Sequence, residues 1–193
     1  MNGSTIEKKV LEIKDTSELM IDLAYSSLLY DNKTIAEEVY DLENDIDEKY
    51  DQLQREILSE VQKGNLSVDA AIVLMNLSRA GEEIADAARE IADVELRDVE
   101  LHPIIKLSIR ESDEVITKVQ VLEQSILCGK NLGDLKLGTD TGMTVIAMRH
   151  GNNWLYGPNK KTCIDPHDIL FAKGPEDGEK HLIALAKGET NEI

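Results

Sequence analysis

Carboxylates recur at helical spacing in the middle of the sequence. Four of them fall at positions i, i+4, i+8 and i+11, namely Glu82, Asp86, Glu90 and Asp93. Each like-charged pair four residues apart costs about 0.2–0.5 kcal/mol in an isolated helix, so a compensating charge is expected. A divalent cation such as Mg²⁺ or Mn²⁺, held by carboxylate oxygens, is one candidate. A solvated outer face is the alternative, because the stripe lies nearly opposite the apolar residues Ile84, Ala88 and Ile91.

The preceding predicted helix carries a second acidic pair, Asp41 and Asp45. If the two helices pack side by side, this pair faces the stripe. The candidate metal ligands are then Asp41, Asp45, Glu82, Asp86 and Glu90.

A polar run follows a predicted strand in the second half of the chain and contains Arg149, His150, Asn152 and Asn153. A guanidinium can pair with a phosphate through two parallel hydrogen bonds, and the imidazole and amides can hydrogen-bond a base or a phosphate. Alternatively, Arg149 covers an apolar strand edge with its methylene stem and the asparagines form a turn that needs no ligand.

Enzymatic activity is not expected. None of the four histidines, His102, His150, His167 and His181, sits in a recognisable nucleophile motif. Ser108, Ser112 and Ser125 lack the glycine pattern of a nucleophile elbow.

Charge and composition bound the remaining functions. The 193 residues include 38 acids and 21 bases, a net charge of −17, and a field of that sign repels phosphate backbones and anionic lipid. Nucleic acid is therefore not expected as a partner. No apolar run reaches the roughly 18 residues of a membrane span, no signal peptide is evident, and two cysteines form no disulfide framework. These features predict a cytosolic protein.

The elements that must position these residues differ between the two halves. Residues 1–108 hold 25 acids and 11 bases, whereas residues 109–193 hold 13 acids and 10 bases. In the first half, apolar residues at helical spacing predict three antiparallel helices, over residues 6–28, 35–61 and 68–91. In the second half the pattern predicts strands over 114–121, 143–149, 154–156 and 169–172, and helices over 129–136 and 178–187. The fold class is α+β, with a helical bundle over 1–108 and a small βαβββα domain over 109–193.

The second half resembles the C-terminal domain of regulators of potassium conductance, the TrkA-C domain. The resemblance lies in EVITKVQVLEQSIL (114–127), GKNLGDLKL (129–137), TGMTVIAMRHGN (141–152) and DPHDILFAKG (165–174). It implies a small regulatory ligand bound near Arg149 and the following turn, usually at a dimer interface, and in several members that ligand is cyclic di-adenosine monophosphate (cyclic di-AMP). No G-x-G-x-x-G follows a predicted strand, so NAD is not expected.

The first half resembles a PhoU-type bundle. Residues 82–93, EEIADAAREIAD, are similar to the signature E-R-I-G-D-H-A-x-N-I-A-E, and residues 41–45 supply a D-x-x-x-D element. Glu83, Ala85, Ala87 and Glu90 depart from the signature and leave its acidic E-x-x-x-D element intact. The resemblance implies divalent metal ions on the acidic face.

A PhoU-like bundle joined to a TrkA-C-like domain is similar to prokaryotic proteins associated with potassium and other cation transport. We therefore expect a homodimer or larger assembly that acts as the ligand-sensing regulatory subunit of a membrane cation transporter. One alternative is a PhoU-like metal-binding adaptor in phosphate transport regulation. A purely structural dimer is another.

Overall fold

The computed structural model describes residues 3–97, 114–151 and 153–192. The chain divides into two compact units, residues 1–109 and residues 110–193. The predicted domain boundary between residues 108 and 109 lies outside the described residues. Each unit has its own core, and each is described by itself.

Unit 1 is a bundle of three long helices: α1 (Gly3–Leu29), α2 (Lys33–Gln62) and α3 (Val68–Leu96). Short connections make successive helices antiparallel, and each helix packs against both others. The predicted three-helix bundle is confirmed.

Side chains cap the starts of α2 and α3. Asn32 Oδ1 accepts a hydrogen bond from the Ile35 N–H at 3.2 Å, and Ser67 Oγ accepts one from the Ala70 N–H at 3.2 Å. Each cap satisfies a backbone donor that has no partner within its helix. Just beyond α2, Gly64 adopts a φ of 73°, the left-handed conformation that favours glycine after a helix.

The core of unit 1 combines large side chains from α1 and α2 with small ones from α3. The buried residues of α3 are Ala71, Ser78, Gly81, Ala85, Ala88 and Ala92. A Cβ on Gly81 would lie 2.7 Å from Ile13 Cγ2, so the small face of α3 permits a close approach to α1. The expected core face of Ile84, Ala88 and Ile91 is wrong for Ile84, which is 42 % exposed, because close helix packing selects small residues rather than the most apolar ones.

Unit 2 is a four-stranded antiparallel sheet of β1 (Glu114–Gln120), β2 (Thr144–His150), β3 (Asn153–Tyr156) and β4 (Ile169–Pro175). The spatial order is β1-β4-β2-β3, so the first and last strands pair. The predicted sequence of strands is confirmed. The helix α6 (Glu176–Lys187) packs on β1 and β4.

The segment between β1 and β2 forms two short helices, α4 (Leu132–Leu135) and α5 (Leu137–Asp140), where a single helix over 129–136 was predicted. Lys136 separates them with a φ of 49°, which a continuous right-handed helix does not allow. One face of the sheet and α6 enclose an aliphatic core around Val119, Met143, Leu170, Leu182 and Leu185.

Within residues 3–97, 114–151 and 153–192, no helix combines the length and apolar content required to cross a membrane.

Candidate ligand-binding site

The sheet face opposite the aliphatic core carries an aromatic and basic cluster. Two rows of cross-strand neighbours lie on this face. The first row contains Ile169, Arg149 and Trp154. The second row contains Lys118, Phe171, Ala147 and Tyr156. Because side chains alternate along a strand, members of both rows emerge on the same side of the sheet. The cluster therefore draws on all four strands.

Trp154 is the centre of this cluster. Its ring stacks on that of Tyr156, with a centroid separation of 5.6 Å and an angle of 2° between the ring planes. The centroid of the buried Phe171 ring lies 5.1 Å from the Trp154 centroid. The Arg149 guanidinium carbon lies 5.3 Å from the Trp154 centroid, within the range of a cation–π contact. Arg149, Trp154 and Tyr156 are half-buried, so all three keep part of their surface in solvent. Aromatic faces beside a fixed guanidinium suit a ligand that joins an aromatic ring to an anionic group.

The predicted ligand residues do not form one group. Arg149 and His150 are neighbours in β2, so their side chains leave the sheet on opposite faces. Asn153 is exposed and pairs with His150 in the β2–β3 register, and Asn152 lies outside the described residues. Among the predicted ligand residues that the structure describes, only Arg149 belongs to the aromatic cluster.

His150 faces carboxylates. Its Nδ1 lies 2.6 Å from Asp168 Oδ1 and 3.8 Å from Asp165 Oδ2, and Asp168 Oδ2 accepts a hydrogen bond from the Asp165 N–H at 2.8 Å. Asp168 is 2 % exposed. This negative surrounding disfavours an anion at His150, whose role in ligand binding stays a prediction.

His150, Asp165 and Asp168 also offer metal-ligand atoms within 4.8 Å of one another, the only such group of three in the described part of the chain. An imidazole nitrogen with two carboxylates is a donor set found for divalent transition metals. No sequence pattern marks this group, because Asp165 and Asp168 lie in the turn before β4 and the pairing of β2 with β4 brings them to His150.

The acidic stripe of α3 faces a different part of α2 from that expected. Glu43 is buried and contacts Arg89, whereas Asp41 and Asp45, two residues to either side, are exposed. Two residues correspond to about 200° around a helix, so Asp41 and Asp45 lie on the side away from Glu43. The carboxylates of α2 near the stripe are those of Glu43 and Asp47.

Glu43, Asp47, Glu82 and Asp86, together with Arg89, form what we call the acidic cluster. Burial raises the pKa of Glu43, and the nearby Asp47 and Asp86 carboxylates raise it further, against the opposing effect of Arg89. Burial also raises the pKa of Glu82, followed by repulsion from Asp86 and Asp47.

Arg89 supplies a compensating charge at one member of the stripe, Asp86, and at Glu43 of α2. Its Nη1 lies 2.7 Å from Glu43 Oε1, and its Nη2 lies 3.5 Å from Asp86 Oδ1. At the end of the stripe, Asp93 accepts a hydrogen bond from the Tyr40 hydroxyl at 2.6 Å and pairs with Arg97. Glu90 is exposed. The positive charge beside Glu43 and Asp86 therefore comes from the chain itself.

Comparison with known families identifies both units. Residues 10–94 match the PhoU domain and residues 116–187 match the TrkA-C domain. The chain carries a PhoU domain followed by a TrkA-C domain. Unit 1 holds the PhoU domain and unit 2 the TrkA-C domain, in the order that the sequence resemblance predicts.

Three known proteins illustrate the similarity. The Probable potassium channel protein 2 of Methanocaldococcus jannaschii is 26 % identical over 83 residues, which are 43 % of this chain and 24 % of that protein, so the match spans about a quarter of its length. The RCK_C domain dimer of S. agalactiae BusR in complex with c-di-AMP is 26 % identical, with a TM-score of 0.36, and the match covers 38 % of this chain and 91 % of that one. The S. agalactiae BusR in complex with its busA-promotor DNA is 22 % identical, with a TM-score of 0.36 and coverage of 62 % and 66 %.

One expectation is corrected: nucleic acid was excluded as a partner of this chain, but S. agalactiae BusR, to which the chain is similar, is in complex with its busA-promotor DNA. The exclusion was drawn from a net charge of −17 summed over the whole chain. Nucleic acid is bound by a local surface or a single domain, and a total charge does not describe either one.

Proposed function

We propose that this chain is a ligand-sensing regulatory component of a potassium or related cation transport system. The TrkA-C domain binds a small anionic ligand with an aromatic ring, and the PhoU domain passes the resulting change to a transport partner. The observation that carries the proposal is the position of the Arg149 guanidinium over Trp154 on the sheet face opposite the aliphatic core of the TrkA-C domain.

The chemistry of this face supports an aromatic anion. The ring of Trp154 offers a surface for a nucleobase, and Arg149 offers planar donors to a phosphate. The charge balance of the two halves agrees with this assignment, because residues 109–193 have three more acids than bases, whereas residues 1–108 have fourteen more. An anion is therefore repelled less by the TrkA-C domain than by the PhoU domain.

A regulatory role requires that the ligand bind one conformation more tightly than another. A ligand shared by two copies of the TrkA-C domain meets that requirement, since it favours the arrangement in which both copies contact it. We propose that dimer packing is the quantity that the ligand changes and that the protein acts in the cytoplasm beside its transport partner.

Titration of the full chain with cyclic di-AMP tests the proposal. Trp154 is the only tryptophan, so a ligand stacked on it should change the fluorescence of the protein directly. Loss of a base–aromatic stack costs about 1–3 kcal/mol, so Trp154→Leu should weaken binding measured by calorimetry by roughly 5- to 150-fold. Arg149→Gln should weaken it by about tenfold through loss of a charge-assisted pair.

Leu155 provides the matched control. It is 46 % exposed on the same strand but alternates to the other face, so Leu155→Ala should leave the affinity unchanged. No heat and no fluorescence change with cyclic di-AMP, ATP or ADP would count against ligand sensing at this face. So would binding that survives both Trp154→Leu and Arg149→Gln.

A further inference from the structure

Helix α3 carries an apolar stripe outside the core of the PhoU domain. The stripe, called the α3 seam below, consists of Val73, Leu77, Ala80, Ile84, Ala87 and Ile91. Val73, Leu77 and Ile84 are 58 %, 56 % and 42 % exposed. Single exposed apolar residues are ordinary, but six aligned along one helix form a continuous apolar surface.

The seam has the spacing of a helix-packing surface. Its members alternate four and three residues apart, and this 3.5-residue period keeps an apolar stripe facing a neighbouring helix. Neither α1 nor α2 fills that position. The buried face of α3, with Gly81 beside Ile13 and Arg89 beside Glu43, lies about 110° around the helix from the seam.

Acidic side chains border the seam. Glu83 and Glu90 each directly precede a seam residue, and both are exposed, as is Asp69 one turn before the seam begins. Arg79 precedes Ala80 and pairs with Glu83, so a basic partner helix would compete with Arg79 for that carboxylate, whereas Glu90 and Asp69 add acidic charge. In a helix pair, residues at this position lie beside the partner helix and select its charge. The border therefore favours a partner helix with Lys or Arg beside its own apolar stripe.

The same charges disfavour a second copy of this chain. A second copy would bring another row of Glu83 and Glu90 to the contact, and residues 1–108 of each copy have fourteen more acids than bases. Like charges brought together across a helix pair reduce its stability.

We propose that the α3 seam docks a basic amphipathic helix of a partner protein, with the apolar stripe of that helix on the seam and its Lys and Arg residues beside Glu83 and Glu90. The proposal rests on the PhoU domain alone. Cytoplasmic segments next to membrane spans are rich in Lys and Arg, so a transport protein can supply such a helix.

The test uses the full chain and a synthetic helical peptide of about 20 residues, with Leu at a and d positions and Lys or Arg at e and g positions. Two control peptides have the same length, one with Glu at e and g and one with the basic composition in scrambled order. Fluorescence anisotropy should show the basic amphipathic peptide binding at least about tenfold more tightly than either control.

Variants of the chain locate the contact. The double variant Leu77→Ser with Ile84→Ser should weaken peptide binding at least about tenfold, and Glu83→Lys should reverse the preference between the basic and acidic peptides. Leu58→Ser is the matched control, since Leu58 is 56 % exposed on α2 away from the seam and its replacement should change nothing. Because the replaced side chains are exposed, circular dichroism should show the helical content retained.

Three results would overturn the proposal. The scrambled peptide binding as tightly as the amphipathic one would mean that charge alone drives the contact. Binding unchanged by Leu77→Ser with Ile84→Ser would place the peptide elsewhere. A dimer seen by ultracentrifugation that dissociates in that double variant would assign the seam to a second copy. None of these results depends on the binding of cyclic di-AMP.

Discussion

Replacing Arg89 by Met removes the cation from the acidic cluster and keeps most of its methylene packing. The Glu43 side chain, only 6 % exposed, then loses its 2.7 Å partner. Breaking a buried ion pair costs about 3–5 kcal/mol, and a buried charged group without a partner costs more than about 1–3 kcal/mol. Because Arg89 is itself 39 % exposed and Glu43 can take up a proton, we expect a loss of about 2–3 kcal/mol in the free energy of unfolding at about pH 8.

The loss should shrink as the pH falls. The pKa of Glu43 is raised in the folded protein, so the folded state binds this proton more tightly than the unfolded state does. Stability from this group is fully present below its unfolded pKa and is lost as the pH rises through its folded pKa. Without Arg89 the folded pKa rises further, so the variant loses more stability than the wild type on the alkaline side. At about pH 5 we expect Arg89→Met to lower the free energy of unfolding by less than about 1 kcal/mol.

Urea unfolding of the full chain measures the stability lost in Arg89→Met at about pH 8 and at about pH 5. Far-ultraviolet circular dichroism follows mainly the three long helices of the PhoU domain, while Trp154 fluorescence follows the TrkA-C domain and should not change. Arg79→Met is the matched control, since Arg79 pairs with Glu83 on the surface and such a pair contributes about 0.3–0.5 kcal/mol. The reasoning fails if Arg89→Met costs no more than Arg79→Met, or if its cost grows as the pH falls. Adding Glu43→Gln to Arg89→Met should restore part of the loss at about pH 8.

Two further predictions concern the TrkA-C domain. Gly178→Ala should destabilise it strongly, because a Cβ at Gly178 would lie 2.1 Å from the Thr141 carbonyl oxygen. Gly138→Ala should be tolerated, because a Cβ there would come no closer than 3.6 Å to Thr144 Oγ1, and Trp154 fluorescence in urea compares the two variants. His150→Gln should leave the affinity for cyclic di-AMP within about twofold, because the imidazole faces Asp168 on the other side of the sheet from Trp154, and the calorimetric titration measures it.

Local signals were sufficient to predict most of the elements. Caps at Asn32 and Ser67 mark where α2 and α3 begin, and alternation from Glu114 onward marks the first strand. The pairing of β1 with β4 joins strands about fifty residues apart, and no local pattern encodes such a contact. The helix predicted over 129–136 is helical only over Leu132–Leu135 and ends at Lys136, whose φ of 49° is left-handed.

The orientation of α3 was harder to predict because hydrophobicity and packing select different residues. A stripe built on Ile84 and Ile91 looks more apolar than one built on Gly81 and Ala85, yet the small residues form the buried face. Close approach of two helices favours side chains with little volume, so the larger residues remain at the surface. Helix α3 therefore has two apolar surfaces. The small residues hold the bundle together, and the larger ones form the exposed α3 seam.

In the candidate ligand site, two residues that are adjacent in sequence have different surroundings in space. Arg149 and His150 are consecutive, and a period of two in the predicted strand already places them on opposite faces. The strand period does not predict which residues surround each face. Trp154 lies beside Arg149, and Asp168 lies beside His150. The proposed function places an aromatic anion on the Arg149 side, and the carboxylates around His150 disfavour an anion on the other face.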